Sequence, residues 1–260
     1  MLACHNYQSG NLKFPPGGTD DGTNFRSFLV DLLPFMDQGN LADDFKRGDS
    51  LDMLSSNSIE SFLCASATQR DELANIGTGE ATHYYGSMGA IGGDAGTDGT
   101  DGWASLDGNG IGGDGIFSPV IEGTGSAATS RFDRRRAKNF GDVADGASNT
   151  VGLLEVAQSR WEVSSGFVES KRAGWAHAGT LSMDNVSEVY SGITLEFTPN
   201  AFLEESDFPG AQNQPVGSNH PGGSQIGLVD GSARFLNDGV NLDMLKAATG
   251  ISDGEDSSLE

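Results

Sequence analysis

The chain has 260 residues, with 37 acidic side chains against 15 basic ones and a formal net charge of −22. That balance excludes a partner recognised through its phosphate backbone, which needs concentrated Lys and Arg, so no nucleic acid is expected. A hydrophobic fraction of 36% with 14 Phe suits a folded core rather than a disordered chain, and no run approaches the roughly 20 apolar residues of a membrane span.

The acidic surplus reads either as a solubilising surface or as a surface for a cationic partner, Ca²⁺ included. Phe25, Phe28, Leu29, Leu32 and Leu33 recur at helical spacing before Pro34, which predicts an amphipathic helix over 24–33. The stretch around Tyr84-Tyr85 predicts a strand over 82–89. Residues 86–118 are dominated by Gly and Asp, with Trp103 as their main apolar anchor, and a basic cluster follows at Arg131, Arg134, Arg135, Arg136 and Lys138. We read 86–140 as a Gly/Asp-rich insertion and basic loop within one domain spanning 1–252. Asp94, Asp98, Asp101, Asp107 and Asp114 are its candidate Ca²⁺ ligands, because a hard cation accepts flexible, oxygen-rich loops. The match to a helix-loop-helix calcium loop is poor, with Ile111 and Ser118 where ligands belong, so a plain solvated loop is the alternative.

Segments 148–157, 160–168 and 193–198 carry Val, Ile, Trp and Phe between Gly and Ser punctuation and predict further strands. Asp230-Gly231 between two extended runs predicts a type I′ hairpin over 225–236, with Leu228 opposite Ala233 and Ile226 opposite Phe235. Leu242, Leu245 and Ala248, with Gly250 as a stop, predict a short last helix, and the acidic residues 253–260 a disordered tail. An α+β fold follows, its mainly antiparallel sheet packed on helical elements from the N-terminal part.

His220, Asp230 and Ser148 invite comparison with a catalytic triad. No Gly-x-Ser-x-Gly elbow is present and Ser148 sits in a Ser-Asn-Thr turn, so His220 is expected to be structural, its ring donating to a backbone carbonyl at the start of the hairpin. His-Glu-x-x-His, Cys-x-x-Cys and phosphate-loop patterns are all missing, which leaves no catalytic residue to assign and no enzyme expected.

Several motifs fall in order along the chain: His5-Asn6-Tyr7, Phe14-Pro15-Pro16-Gly17, Leu32 to Leu41, Phe62-Leu63-Cys64-Ala65-Ser66, Asp145-Gly146-Ala147-Ser148-Asn149-Thr150, and His220 ten positions before Asp230-Gly231. The set resembles a large paralogous family of pilin-like proteins of planctomycete bacteria, of unknown biochemical function, with Ala65 where that family usually has proline. The resemblance makes His220, Asp230, Gly231, Asp145, Gly146, Ser148 and Asn149 structural motif residues. It also implies a prepilin leader and an apolar N-terminal helix that anchors such proteins in the inner membrane. Met1-Leu2-Ala3-Cys4 falls where that helix would end, so its removal is expected, with a naturally anchorless relative as the alternative. An exported location favours a disulfide between Cys4 and Cys64 over two buried thiols. The implied role is a structural or interaction protein of the cell envelope, partnered by its own copies or by other pilin-like subunits. The alternative is an extracellular solute- or glycan-binding module stacking on Trp103, Trp161 and Trp175, which exposure of those tryptophans would discriminate.

Overall fold

The structure, a computed structural model, describes residues 1–20, 24–67, 79–90, 114–121, 137–157, 160–163, 166–169, 174–182, 185–202, 213–251 and 259. Its centre is a five-stranded sheet built from β3 (Tyr84–Ala90), β5 (Val151–Glu155), β10 (Gly192–Leu195), β11 (Gly223–Leu228) and β12 (Ala233–Asn237). The strand order is β10-β3-β5-β11-β12. Only the β10–β3 pairing is parallel; the other three are antiparallel, so the fold is α+β with a mainly antiparallel sheet.

Alternation along the strands splits the core in two. On one face Val151, Leu154, Ile193, Leu195, Ile226 and Leu228 pack with Leu245 and Ala248 of the last helix, α5 (Leu242–Thr249). That helix starts where Asn241 accepts hydrogen bonds from the amides of Asp243 and Met244, and Gly250 ends it, as its sequence predicts. On the other face Phe14, Phe28, Leu33, Phe117 and Trp175 form a second cluster with the N-terminal elements. These are α1 (Leu2–Asn11), α2 (Phe28–Leu32), α3 (Gly39–Lys46) and α4 (Leu51–Ser55). The start of α1 reaches the sheet itself: a Cβ on Gly152 would lie 3.2 Å from Met1 Cε, and one on Gly227 3.1 Å from Met1 Cγ. Glycine at these two strand positions is what lets the chain terminus lie against the sheet.

Smaller pieces complete the fold. β1 (Gly18–Asp20) pairs with β2 (Phe25–Ser27) and with β4 (Val120–Ile121), while β6 (Arg160–Val163) with β7 (Gly166–Glu169) and β8 (Gly179–Ser182) with β9 (Asn185–Val189) form two hairpins. Among the described residues no helix is long and apolar enough to cross a membrane.

Four sequence expectations change. The helix over 24–33 begins only at Phe28: Ser27 is extended, its hydroxyl accepting from Leu29 N to cap α2, and Phe25 stays in strand β2, packed with Met88, Ala178 and Val189. The insertion does not start at 86, because residues 84–90 are a strand of the main sheet and Ile116 and Phe117 are fully buried. Residues 91–113 and 122–136 lie outside the described residues, and with them Asp94, Asp98, Asp101, Asp107, Trp103 and the four arginines of the basic cluster. The hairpin register is offset by one, pairing Gln225 with Phe235 and Ile226 with Arg234. A type I′ turn needs positive φ at both central residues, yet here Gly231 alone has it, at 96°. The loop is instead the three residues Val229-Asp230-Gly231, closed by Gly231 N to Leu228 O (3.0 Å) and Leu228 N to Ser232 O (2.8 Å). The extra residue lets Val229 N and Asp230 N donate to the carbonyls of Thr150 and Ala147, at 2.9 Å each, and tertiary pairing thereby overrides the shorter turn. Finally, Cys4 and Cys64 are both free and buried in different clusters, Cys4 with the N-terminal core and Cys64 with Ala67 and Ala157, so the expected disulfide is not formed.

Candidate functional site

Strand β11 connects two groups of polar residues, one at each end. At its Asp-Gly end the sequence motifs meet. Asp230 Oδ1 accepts from the amide (2.8 Å) and hydroxyl (2.7 Å) of Ser232, and these bonds, hydroxyl first, hold its carboxyl below the ordinary aspartate range. His5 Nε2 donates to Val229 O at 2.8 Å, and its ring covers Gly231. Gly146, at φ 94°, turns the chain so that its carbonyl receives the amides of Asn149 and Thr150, and Asn149 Nδ2 donates to Asp145 O. Arg234 Nη2 donates to Ser148 O at 3.4 Å. Asp230, Gly231, Asp145, Gly146, Ser148 and Asn149 are thus brought together, and with backbone groups as their partners they serve to lock a hairpin, a turn and α1 to one another.

His220 is not part of that lock. It precedes β11, whose six residues put it on the order of 20 Å from Asp230. Among the described residues its ring meets no backbone carbonyl, contrary to expectation; Nε2 lies 3.5 Å from Cys64 Sγ, 3.5 Å from Glu155 Oε1 and 3.3 Å from Ser66 Oγ. Cys64, Glu155 and His220 offer ligand atoms that all lie within 4.8 Å of one another. Each arrives on a different segment. Cys64 follows the 3-10 turn Glu60–Phe62, where its amide donates to His83 Nδ1 at 2.9 Å. Glu155 ends β5, and its Oε2 accepts from Gln225 N at 2.7 Å. His220 sits in the turn before β11, its amide bonded to Ser218 Oγ.

The electrostatics of this second group are unusual. Glu155 is fully buried, yet Oε1 has no hydrogen-bond partner among the described residues. Burial pushes the Cys64 thiol up, and the neighbouring Glu155 carboxylate adds to the rise against the opposing Ser66 contacts. Tyr84, directly opposite Glu155 in the sheet, is pushed up to about 12 by burial and then by the negative charge of Glu155 and Cys64. A nucleophilic cysteine is favoured by a depressed thiol pKa, and the burial of Cys64 beside a carboxylate acts in the other direction. What the three side chains can do is hold a cation.

Asp114 is the only calcium candidate among the described residues, and its carbonyl accepts from Ile251 N at 3.2 Å. Sequence reasoning missed Glu155 and the partnership of Cys64 with His220, which are 156 positions apart. One signal was present: an acidic residue at the end of the apolar run Val151-Gly152-Leu153-Leu154, immediately before Val156, is a charge placed where a strand is buried.

No curated protein and no solved structure matches the chain. A family model described as "Protein of unknown function (DUF1559)" matches residues 1–243, and the chain, carrying its His220 and Asp230 ends of β11 inside that span, belongs to this family.

Proposed function

We propose that the protein is a non-enzymatic interaction subunit, the globular head of a pilin-like or pseudopilin-like protein of the cell envelope, which assembles with its own copies or with related subunits. The observation that carries this reading is the seating of α1. Met1 fixes the start of that helix to the sheet, His5 ties it to the hairpin loop and Cys4 is buried beneath it, while Leu2 in its first turn and Leu12, the left-handed residue that ends it, are each 75% exposed. A first helix docked on one side, with a large apolar side chain exposed at each end, is suited to a contact between subunits. The glycan-binding alternative has less support: Trp175 is 2% exposed, with Nε1 donating to Asn57 O, and offers no stacking face.

The test is site-specific photo-crosslinking in the native cells, with the crosslinker at Leu12 and, as a control, at Met53, which is 56% exposed on α4. Expected are adducts of two copies from position 12, recovered in the envelope fraction, and few from position 53. Recovery in the cytosol without adducts overturns the proposal.

A further inference from the structure

We propose that Cys64, Glu155 and His220 form a binding site for a divalent d-block cation of the zinc class, with the Ser66 hydroxyl beside the fourth coordination position. The geometry comes first. With Zn–S about 2.3 Å and Zn–N and Zn–O about 2.0–2.2 Å, tetrahedral angles set sulfur and nitrogen ligands roughly 3.5 Å apart and nitrogen and oxygen ligands roughly 3.4 Å apart. The observed Cys64 Sγ to His220 Nε2 and His220 Nε2 to Glu155 Oε1 separations are both 3.5 Å. A direct N–H hydrogen bond to Glu155 would be shorter than this.

A second observation is independent of that spacing. Glu155 is a wholly buried carboxylate with one oxygen fixed by Gln225 N and the other, Oε1, aimed among these side chains without a hydrogen bond. A buried carboxylate oxygen left in this way is costly, and a cation at the centre of the three ligands satisfies it.

The donor set selects the metal. One sulfur and one imidazole favour zinc and its neighbours, whereas Ca²⁺ and Mg²⁺ require oxygen. Access fits as well: Cys64 and Glu155 are buried, His220 is half-buried and Ser66 exposed, so an ion enters from the Ser66 side and keeps a water or the hydroxyl as its fourth ligand. Binding exchanges the Cys64 thiol proton for the metal and releases it to solvent. Because the ligands come from the loop after residue 62, the end of β5 and the turn before β11, the ion would clamp three segments at one end of the sheet.

The experiment uses the full chain, reduced and stripped with chelator, titrated with Co²⁺. Expected are visible bands of tetrahedral cobalt and a near-ultraviolet thiolate-to-cobalt absorption, saturating at one equivalent per chain and abolished by Zn²⁺. One equivalent of Zn²⁺ should also raise the thermal midpoint, and by more in the wild type than in His220→Gln. His220→Gln, a change at a half-buried position that leaves the core alone, should weaken binding by more than the roughly 10–100-fold that loss of an outer-shell partner costs. Cys64→Ser should remove the near-ultraviolet absorption, and Cys4→Ala should retain it. Absence of these bands from the wild type, or bands unchanged in His220→Gln, overturns the proposal.

Discussion

Gly231 is held at φ 96°, and a Cβ placed on it would lie 3.2 Å from His5 Cε1. Gly231→Val therefore combines an unfavourable backbone conformation with a push on the ring that bonds to Val229 O, and is expected to destabilise by about 1–3 kcal/mol in urea titration. Gly231→Asn, which tolerates this conformation, should be milder. Its neighbour Asp230 has a depressed folded pKa, so its contribution is present above the ordinary aspartate value and is lost as pH falls through the lower, folded one. Wild type and Asp230→Asn should differ in urea midpoint at neutral pH and converge in strong acid. Exposure to solvent keeps that difference under about 1 kcal/mol. Single residues of this lock were legible in the sequence because Asp-Gly and Asp-Gly-x-Ser-Asn have local turn chemistry. Glu155 was not, because its role comes from what β11 and the loop at Cys64 bring to it.

Elements were more legible than their pairings. The strands near 84–90, 151–155 and 192–195 and the helix at 242–249 follow from apolar pattern and caps, which are local properties. The run predicted as one strand over 160–168 folds as the hairpin β6–β7, and the hairpin at the C-terminal end is shifted by one residue. In both cases the sequence fixes which residues are extended and leaves the turn to be chosen by longer-range contacts. The register has a direct check. Ile226 is buried beneath α5, whereas Phe235, 49% exposed, lies on the edge strand β12. Ile226→Ala is expected to cost about 2–5 kcal/mol and Phe235→Ala much less, by chemical denaturation. Equal losses would restore the pairing of these two residues across one apolar face.

At the scale of the whole molecule, a net charge of −22 opposes compaction by self-repulsion, so the thermal midpoint should rise with ionic strength. The aspartates at 94, 98, 101, 107 and 114 set a further expectation, that millimolar Ca²⁺ raises the midpoint more than Na⁺ of matched ionic strength; equal effects would reduce it to screening. The two core clusters on opposite faces of one sheet make these shifts global, since losing either face leaves the strands half covered. Strand β11 lies between β5 and the edge strand β12, with His220 before it and Asp230 after it. Deleting one residue from it would turn Ile226 and Leu228 away from α5, and deleting two would keep the faces but draw His220 about 7 Å from Cys64 and Glu155. A substitution in this segment is felt only where its side chain packs, whereas a change of length is felt at both ends at once, and the interval between the histidine and the aspartate thereby acts as a ruler set by the fold.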